Sequence, residues 1–224
     1  MKIEEYKARS SGVGNLFTEP RLKKDRENGE LSATAKGQIQ HWLKERIYQR
    51  RFEFSNKYTE NGIKQEDENI DYLEIHSEYK GLKKNEEHFV NELLTGTPDL
   101  LTDDKVIDIK SSFSGDTFKL FDTEITNKLY YYQLQAYMLL TGKRKAELVY
   151  VLGNTSEDVI KKEFNFSRES DYEKFRKQYI YDNVDSKYRI KRFEVAYDED
   201  FEEKLSKKIA KAREYISKLL KEIE

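Results

Sequence analysis

The stretch "LLTGTPDLLTDDKVIDIKSS" has the pattern of two apolar strands around the polar turn "TDDK", yet two aspartates and a lysine lie inside the strands. The three charged residues are Asp99, Asp108 and Lys110. A charge inside a strand that builds a core is costly unless it has a partner. Carboxylates can bind a divalent cation and a lysine can stabilise developing negative charge, so these residues together could hydrolyse a phosphate ester.

A turn at "TDDK" would fold this stretch into an antiparallel hairpin. Centring the turn on its two aspartates places Asp99 directly opposite Asp108, with both side chains on one face. Lys110 lies two residues after Asp108 and shares that face. Ile107 and Ile109 then point the other way, into the core. The spacing therefore predicts a cluster of two acids and one lysine on a single face of the hairpin.

Two opposed carboxylates repel each other and destabilise a strand pair. A divalent cation held by both would offset the repulsion, and oxygen ligands suit Mg²⁺ or Mn²⁺. Lys110 would then orient an attacking water or stabilise a phosphorane-like transition state. The alternative interpretation is a solvated strand face that carries an ordinary Asp–Lys pair.

Glu66 is the candidate third acid. In the helical stretch "NGIKQEDENIDYLEI" the apolar positions Ile63, Ile70 and Leu73 define a stripe, and Glu66 falls on it at steps of three and four residues. An acid on an inward stripe needs a compensating charge, for which the metal is the natural candidate. The alternative is that Glu66 pairs with a lysine or lies at the helix edge.

Gln133 and Tyr137 lie four residues apart on a later helix and therefore share one face. An aromatic residue in a helix usually belongs to the core. A glutamine on the same helix face is less favourable in a core. We therefore expect the pair to support the acidic hairpin by hydrogen-bonding a substrate phosphate or orienting Lys110.

The composition limits the function classes. The 224 residues carry a formal net charge of -2, with 38% charged and 37% apolar residues. The absence of cysteine excludes disulfides, thiol catalysis and cysteine-ligated zinc or iron–sulfur clusters. No apolar run reaches the length of a membrane span, and no signal-peptide core is present, so we expect a cytoplasmic protein.

The order of elements predicts an α/β (α+β) fold in which a mixed central β-sheet is flanked by helices. Ser32 has the features of an N-cap, and Gly142 would end the helix "NKLYYYQLQAYMLLTG". Strands are expected over 87–101, over 105–112, at "KAELVYVLG" and at "YRIKRFEVAY", and further helices over 61–75 and from residue 199 onwards.

Four stretches carry a family resemblance. "GTPDLLTDDKVIDIK" resembles the PD-(D/E)xK nuclease motif, and "QLQAY" resembles the QxxxY motif of its RecB-like branch. "GIKQEDE" resembles the upstream acidic motif of that superfamily, and "ARSSGVGNLFTEPR" resembles the start of lambda-exonuclease/YqaJ-like phage exonucleases. The resemblance spans roughly residues 9–152 in one order and implies a restriction-endonuclease-like core.

The resemblance assigns roles to individual residues. One or two Mg²⁺ (or Mn²⁺) ions would be held by Glu66, Asp99, Asp108 and the backbone carbonyl of Ile109. Lys110, Gln133 and Tyr137 would complete the catalytic set. The DNA 5′ phosphate would be bound by Ser11, with Arg9, Lys7 and Arg21 nearby. One position departs from the pattern, because Glu4 stands where those enzymes carry an arginine; Arg9 or Lys7 would have to replace it.

The implied function is a metal-dependent 5′→3′ exonuclease on linear double-stranded DNA. It would act in phage-type recombination with a single-strand annealing protein, as a homo-oligomer such as a trimer, in a bacterial host or encoded by a phage. Residues 1–224 would form one domain, divided into a helical DNA-end-binding part (1–60), a catalytic core (61–153) and a C-terminal helix–strand–helix part (154–224). The alternatives are an endonuclease or RecB-like end-processing nuclease with the same site, and a DNA-binding descendant without activity.

Overall fold

The computed structural model describes residues 3–52, 57–164 and 170–223, without the side chains at 57–61, 63 and 64. Its α-helices are α1 (Lys23–Glu27), α2 (Ala33–Ile47), α3 (Lys57–Ile75), α4 (Lys128–Thr141), α5 (Glu157–Glu163), α6 (Tyr172–Arg176) and α7 (Phe201–Ile223). Its strands are β1 (Ala8–Arg9), β2 (Phe89–Val90), β3 (Leu94–Gly96), β4 (Leu100–Leu101), β5 (Lys105–Ser111), β6 (Lys145–Val151) and β7 (Ile190–Ala196). Short 3₁₀ helices cover Ile3–Glu5, Ser10–Phe17, Lys177–Tyr179 and Ser186–Tyr188.

Local signals explain several helix ends. The Ser32 hydroxyl accepts a hydrogen bond from the Ala35 N–H at 3.0 Å and caps α2 as predicted. Asn127 caps α4 in the same way by accepting from the Leu129 N–H. Gly142 ends α4 with a φ of 72°, a left-handed conformation that glycine adopts without strain. None of the described helices is long and apolar enough to cross a membrane.

The strands form two mixed sheets, and the predicted mixed α/β architecture is confirmed. The larger sheet has the order β4-β5-β6-β7, with β5 and β6 parallel and both outer pairs antiparallel. The smaller sheet has the order β1-β3-β2. Its strand β1 belongs to the N-terminal stretch and pairs in parallel with β3.

The single strand predicted over 87–101 is wrong, because this stretch is divided into β2, β3 and β4 across the two sheets. Asn91 causes the first break: its side-chain oxygen accepts from the N–H groups of Leu93 and Leu94 and so closes a turn. Pro98 accounts for the second, since it has no N–H for a strand ladder. The chain passes at Pro98 from the smaller sheet to the larger one.

Both faces of the larger sheet are covered. One face packs with α4 through a cluster that includes Val106, Leu134 and Leu148. The opposite face packs with α3 through Ile70, Leu73, Ile107, Ile109, Val149 and Val151. Ile107 and Ile109 therefore point into the core, as the alternation of the hairpin predicted.

A third hydrophobic cluster unites distant parts of the chain. It joins Leu16 of the N-terminal 3₁₀ helix, Ile39 and Trp42 of α2, and Leu205 and Ile209 of α7. The first and last parts of the chain thus share one core. The division of the domain into three parts stays a prediction.

Candidate active site

Asp108 lies in the middle of β5 and is fully buried. Its Oδ1 accepts a hydrogen bond from Gln133 Nε2 at 3.0 Å. Its Oδ2 lies 2.7 Å from the ammonium of Lys110, and no donor of standard hydrogen-bond geometry reaches this oxygen from the part of the chain that the structure describes. The carboxylate is therefore oriented by an amide on one side and balanced by a cation on the other.

Asp99 immediately precedes β4 and faces Asp108 across the hairpin. The register is the predicted one, because Leu100 pairs with Ile107 and Leu101 with Val106. The Asp99 Oδ2 accepts from the backbone N–H of Ile109 at 2.8 Å. Burial and the neighbouring Asp108 raise the pKa of Asp99 to about 7, against the opposing effects of Lys110 and of that N–H. A fully buried carboxylate and a half-buried one thus share the charge of one lysine.

Lys110 remains a cation in this environment. Burial alone would lower the pKa of its ammonium, but Asp108 and Asp99 outweigh burial and raise it above its ordinary value. The ammonium also lies 5.1 Å from the centroid of the Tyr130 ring, within the range of a cation–π contact. Lys110 is therefore placed as a fixed positive charge rather than as a proton acceptor.

Gln133 and Tyr137 share one buried face of α4, as their spacing predicted. Gln133 Nε2 donates to Asp108 and also lies 3.2 Å from the Tyr137 hydroxyl, so the amide links α4 to β5. Burial and Asp108 raise the pKa of the Tyr137 hydroxyl, which therefore keeps its proton. The structure places Gln133 against Asp108 instead of Lys110.

Glu66 lies at the edge of the inward face of α3, and not at its centre. The buried positions of that face are Gln65, Asn69, Ile70 and Leu73. The side chain of Glu66 is 27% exposed, and its Oε2 pairs with the Lys84 ammonium at 3.0 Å. Its charge makes a smaller contribution to the raised pKa of Asp99 than burial and Asp108 do. Ile63, which anchored the predicted stripe, has a side chain outside the described residues.

The oxygens of the hairpin are suited to a hard divalent cation. The described residues contain no assembled group of three acidic or imidazole side chains that already forms a metal site. However, Asp99 and Asp108 are two carboxylates that face the single ammonium of Lys110. Asp108 Oδ2 contacts that ammonium at 2.7 Å, and no described residue donates a hydrogen bond of standard geometry to it. A bound cation would satisfy both, and the acidic pair therefore fits Mg²⁺ or Mn²⁺.

The N-terminal stretch lies beside this site. Ser10 is buried, and its hydroxyl donates to the Thr95 carbonyl at 3.2 Å. Gly96 follows Thr95, and a Cβ on it would meet Ser10 Oγ at 2.5 Å and the Tyr137 ring at 3.0 Å. Ser11, the predicted phosphate ligand, is exposed next to the buried Ser10.

The predicted cations of the 5′-phosphate site lie in different surroundings. Arg9 pairs with the buried Glu45 at 2.6 Å, whereas Lys7 is half-buried and Arg21 is exposed. Burial would raise the pKa of Glu45, but the Phe52 N–H and Arg9 together hold it below its ordinary value. Arg9 thus already has an anionic partner, which a phosphate would have to replace.

A second buried charge network was not predicted from the sequence. Glu147 in β6 is fully buried and pairs with Lys105 at 2.9 Å and with Arg192 at 2.8 Å. Arg192 also pairs with Glu78 at 2.8 Å. A glutamate inside the apolar strand "KAELVYVL" carried the same signal as Asp99 and Asp108. Glu147 of β6 pairs with Ile107 of β5, so their side chains lie on the same face of the sheet. Asp108, the residue after Ile107, points to the opposite face.

The overall chain resembles solved exonuclease structures. No known protein-family model matches it, and no curated protein matches it by sequence. A phage-related exonuclease from Haemophilus somnus 129PT superimposes with a TM-score of 0.83 at 26% identity, covering 98% of this chain and 97% of that one. An alkaline exonuclease from Laribacter hongkongensis superimposes with a TM-score of 0.65 at 15% identity, over 97% and 93% of the two chains. The same enzyme in complex with dAMP gives a TM-score of 0.64.

The likeness to the first structure extends over nearly the whole of both chains, well beyond the stretch that carries the motifs. The chain therefore has the fold of a phage-related exonuclease, and the predicted resemblance to phage exonucleases is confirmed.

Proposed function

We propose that the protein is a metal-dependent DNA exonuclease, acting 5′→3′ on linear double-stranded ends in phage-type recombination. The observation that carries the proposal is the grouping of Asp99, Asp108 and Lys110 on one hairpin, with Gln133 fixing Asp108. The exonuclease structures with the same fold support it. A single-strand annealing protein and assembly into a homo-oligomer such as a trimer belong to the same proposal.

Each residue of the hairpin has a distinct task in this proposal. Asp99, Asp108, Glu66 and the Ile109 carbonyl would hold one or two Mg²⁺ or Mn²⁺ ions. When bound, such an ion lowers the pKa of water and offsets charge on the phosphate. Lys110 would offer a permanent positive charge to the phosphodiester as it gains negative charge during attack. Hydrolysis would break the P–O3′ bond and leave a 5′ phosphate on the next nucleotide.

Two supporting residues act through Asp108. Gln133 donates to its Oδ1 and so holds the carboxylate in one orientation. Tyr137 lies 3.2 Å from the Gln133 amide and limits its rotation. This linkage leaves the other oxygen of Asp108 directed at Lys110.

The proposed function is tested by digesting linear duplex, covalently closed circular duplex and single-stranded DNA with Mg²⁺ and with a chelator. We expect the wild type to degrade linear duplex with Mg²⁺ alone, and Lys110→Met to abolish this activity. Lys218→Met, which removes an exposed lysine of α7, serves as the control with full activity. Cutting of the closed circle would reassign the protein as an endonuclease, whereas DNA binding without cutting would identify a non-enzymatic descendant.

The direction of digestion depends on recognition of the 5′ end. A terminal phosphate carries close to two negative charges and binds by charge-assisted hydrogen bonds. We expect 5′-phosphorylated linear duplex to be digested faster than 5′-hydroxyl duplex, and the difference to shrink in Ser11→Ala and Lys7→Ala. Equal rates on both ends in the wild type would contradict the proposed 5′-phosphate site, because neither residue would then contribute to end selection.

A further inference from the structure

Lys84 lies at the rim of the acidic hairpin, although no motif includes it. Its backbone forms an isolated antiparallel bridge with Leu100 of β4. The next residue, Asn85, donates its N–H to the Asp99 carbonyl at 2.8 Å and its side-chain amide to the Pro98 carbonyl at 3.0 Å. The backbone of Lys84 is thus attached to the same strand edge that carries Asp99.

The ammonium of Lys84 contacts two acids of α3. It lies 3.0 Å from Glu66 Oε2 and 3.7 Å from Asp67 Oδ1, while its side chain remains 45% exposed. Lys84 therefore has an anionic partner and retains access to solvent.

Two lysines thus balance the acids at this site. Lys110 pairs with Asp108, and Lys84 pairs with Glu66. A divalent cation that takes Glu66 as a ligand has to displace the Lys84 ammonium from it, because both positive charges would compete for one carboxylate. The displaced ammonium stays within the reach of its own side chain, because its backbone is held at the strand edge.

A DNA phosphate at the hairpin would offer the displaced ammonium a new partner. The phosphodiester has to lie against the acids that hold the metal, and Lys84 is an exposed cation at their rim. We propose that Lys84 is a second substrate-binding lysine, which exchanges the Glu66 carboxylate for a DNA phosphate when the divalent cation binds. This inference rests on the proposed function, since it requires metal and DNA at the hairpin.

The test uses the full-length chain and two binding measurements that require no cleavage. Calorimetric titration with Mn²⁺ compares the wild type with Lys84→Met, and with Lys83→Met as the matched control at the preceding exposed lysine. We expect Lys84→Met to bind Mn²⁺ more tightly, on the order of fivefold, because a neighbouring positive charge has been removed. Lys83→Met should bind Mn²⁺ like the wild type.

Fluorescence anisotropy with a labelled short duplex in Ca²⁺ then measures DNA binding over a range of salt concentrations. Loss of one phosphate contact should weaken binding by Lys84→Met and reduce the slope of log affinity against log salt by about 0.9. Lys84→Arg, which keeps the charge, should restore the slope. Lys83→Met should leave it unchanged.

The outcomes separate this inference from the function on which it rests. A wild type that binds neither Mn²⁺ nor DNA would overturn the proposed function itself. A wild type that binds both, with Lys84→Met unchanged in either measurement, would overturn only the role of Lys84. Weaker Mn²⁺ binding by Lys84→Met would also overturn it, since Lys84 would then be positioning Glu66 for the metal.

Discussion

At the scale of single residues, the site is defined by an imbalance of buried charge. Asp99 and Asp108 are two carboxylates that share one lysine. The uncompensated negative charge affects Asp99, whose pKa is raised to about 7. Asp108 has both Lys110 and Gln133 as partners, whereas Asp99 has one backbone N–H. Of the two acids, Asp99 is thus the one that destabilises the metal-free protein when it ionises.

The stability of the metal-free protein should therefore depend on the protonation of Asp99. The folded-state pKa lies above the ordinary value of 3.8, so the folded state binds this proton more tightly than the unfolded state does. The resulting stabilisation is complete below about pH 4 and is lost as the pH rises through 7. Asp99→Asn should remove this loss and raise the Tm at pH 8 by about 5 °C in chelator, with a much smaller difference at pH 4.5.

Thermal unfolding at both pH values measures this effect. Asp103→Asn, in the exposed turn of the same hairpin, is the control and should leave the pH profile unchanged. A parallel drop in the Tm of wild type and Asp99→Asn between pH 4.5 and 8 would show that another group is responsible. Added Mg²⁺ should stabilise the wild type at pH 8 and have less effect on Asp99→Asn.

At the scale of elements, the site depends on the close packing of β3, α4 and the N-terminal stretch. Gly96 is the point of contact, because Ser10 and Tyr137 occupy the space that a side chain would need. The hydroxyl of Tyr137 contacts Gln133, which in turn holds Asp108. A change in this packing is therefore transmitted to the carboxylate through α4.

Gly96→Ala should test this contact. The new Cβ would lie 2.5 Å from Ser10 Oγ and 2.9 Å from Ser10 Cβ, so one of the elements must shift. We expect destabilisation of roughly 1–3 kcal/mol, as for overpacked cores, and a loss of nuclease activity of about tenfold. Gly37→Ala is the matched control, since nothing lies within 4 Å of its new Cβ in α2. It should stabilise the protein by up to about 1 kcal/mol and leave activity unchanged.

Chemical denaturation and a digestion assay on the same samples measure both effects. Full activity in Gly96→Ala would show that the shift is absorbed by the 3₁₀ helix Ser10–Phe17 and never reaches α4.

Short-range signals predicted much of the hairpin and of α4. The turn residues and the alternation of apolar and polar side chains predicted the pairing register of β4 and β5. A shift of that register by one residue would have turned Ile107 and Ile109 out of the core. A four-residue spacing was enough to place Gln133 beside Tyr137. The resemblance of the motif stretches to PD-(D/E)xK nucleases also indicated the fold.

Long-range partners were not predictable in the same way. The inward face of α3 contains the polar Gln65 and Asn69, so apolar periodicity placed Glu66 too close to its centre. The buried side-chain amide of Asn69 donates a hydrogen bond to the Ser111 hydroxyl at 2.6 Å. The two residues are 42 positions apart in the sequence. The pairing of Arg9 with Glu45 likewise joins residues that only the folded chain brings together.

At the scale of the whole molecule, α7 completes the core of the N-terminal part. Its buried residues Phe201, Leu205, Ile209, Ala212 and Ile216 all belong to the cluster formed by the N-terminal stretch and α2. Arg213 adds hydrogen bonds from α7 to the carbonyls of Tyr6 and Glu92. The C-terminal helix carries no catalytic motif, yet it supports the stretch that contains Ser11.

Ile209→Ala should therefore lower the stability of the fold without altering the catalytic residues. Removal of a fully buried isoleucine side chain costs about 2–5 kcal/mol, with a corresponding fall in Tm. Ile223→Ala, at a position that is 67% exposed on the same helix, should leave the Tm nearly unchanged. Well below its Tm, Ile209→Ala should retain nuclease activity in the presence of Mg²⁺. An unaltered Tm would show that α7 is dispensable for the fold.

The shared core of α2 and α7 also constrains how the protein is made. During translation, Ile39 and Trp42 leave the ribosome long before Leu205 and Ile209 have been synthesised. Until then, the apolar surface of the N-terminal part has no native cover on that side, and it is available for aggregation or for a chaperone. A nascent chain that stalls before α7 would consequently remain a chaperone client, even though the whole catalytic hairpin had already been translated.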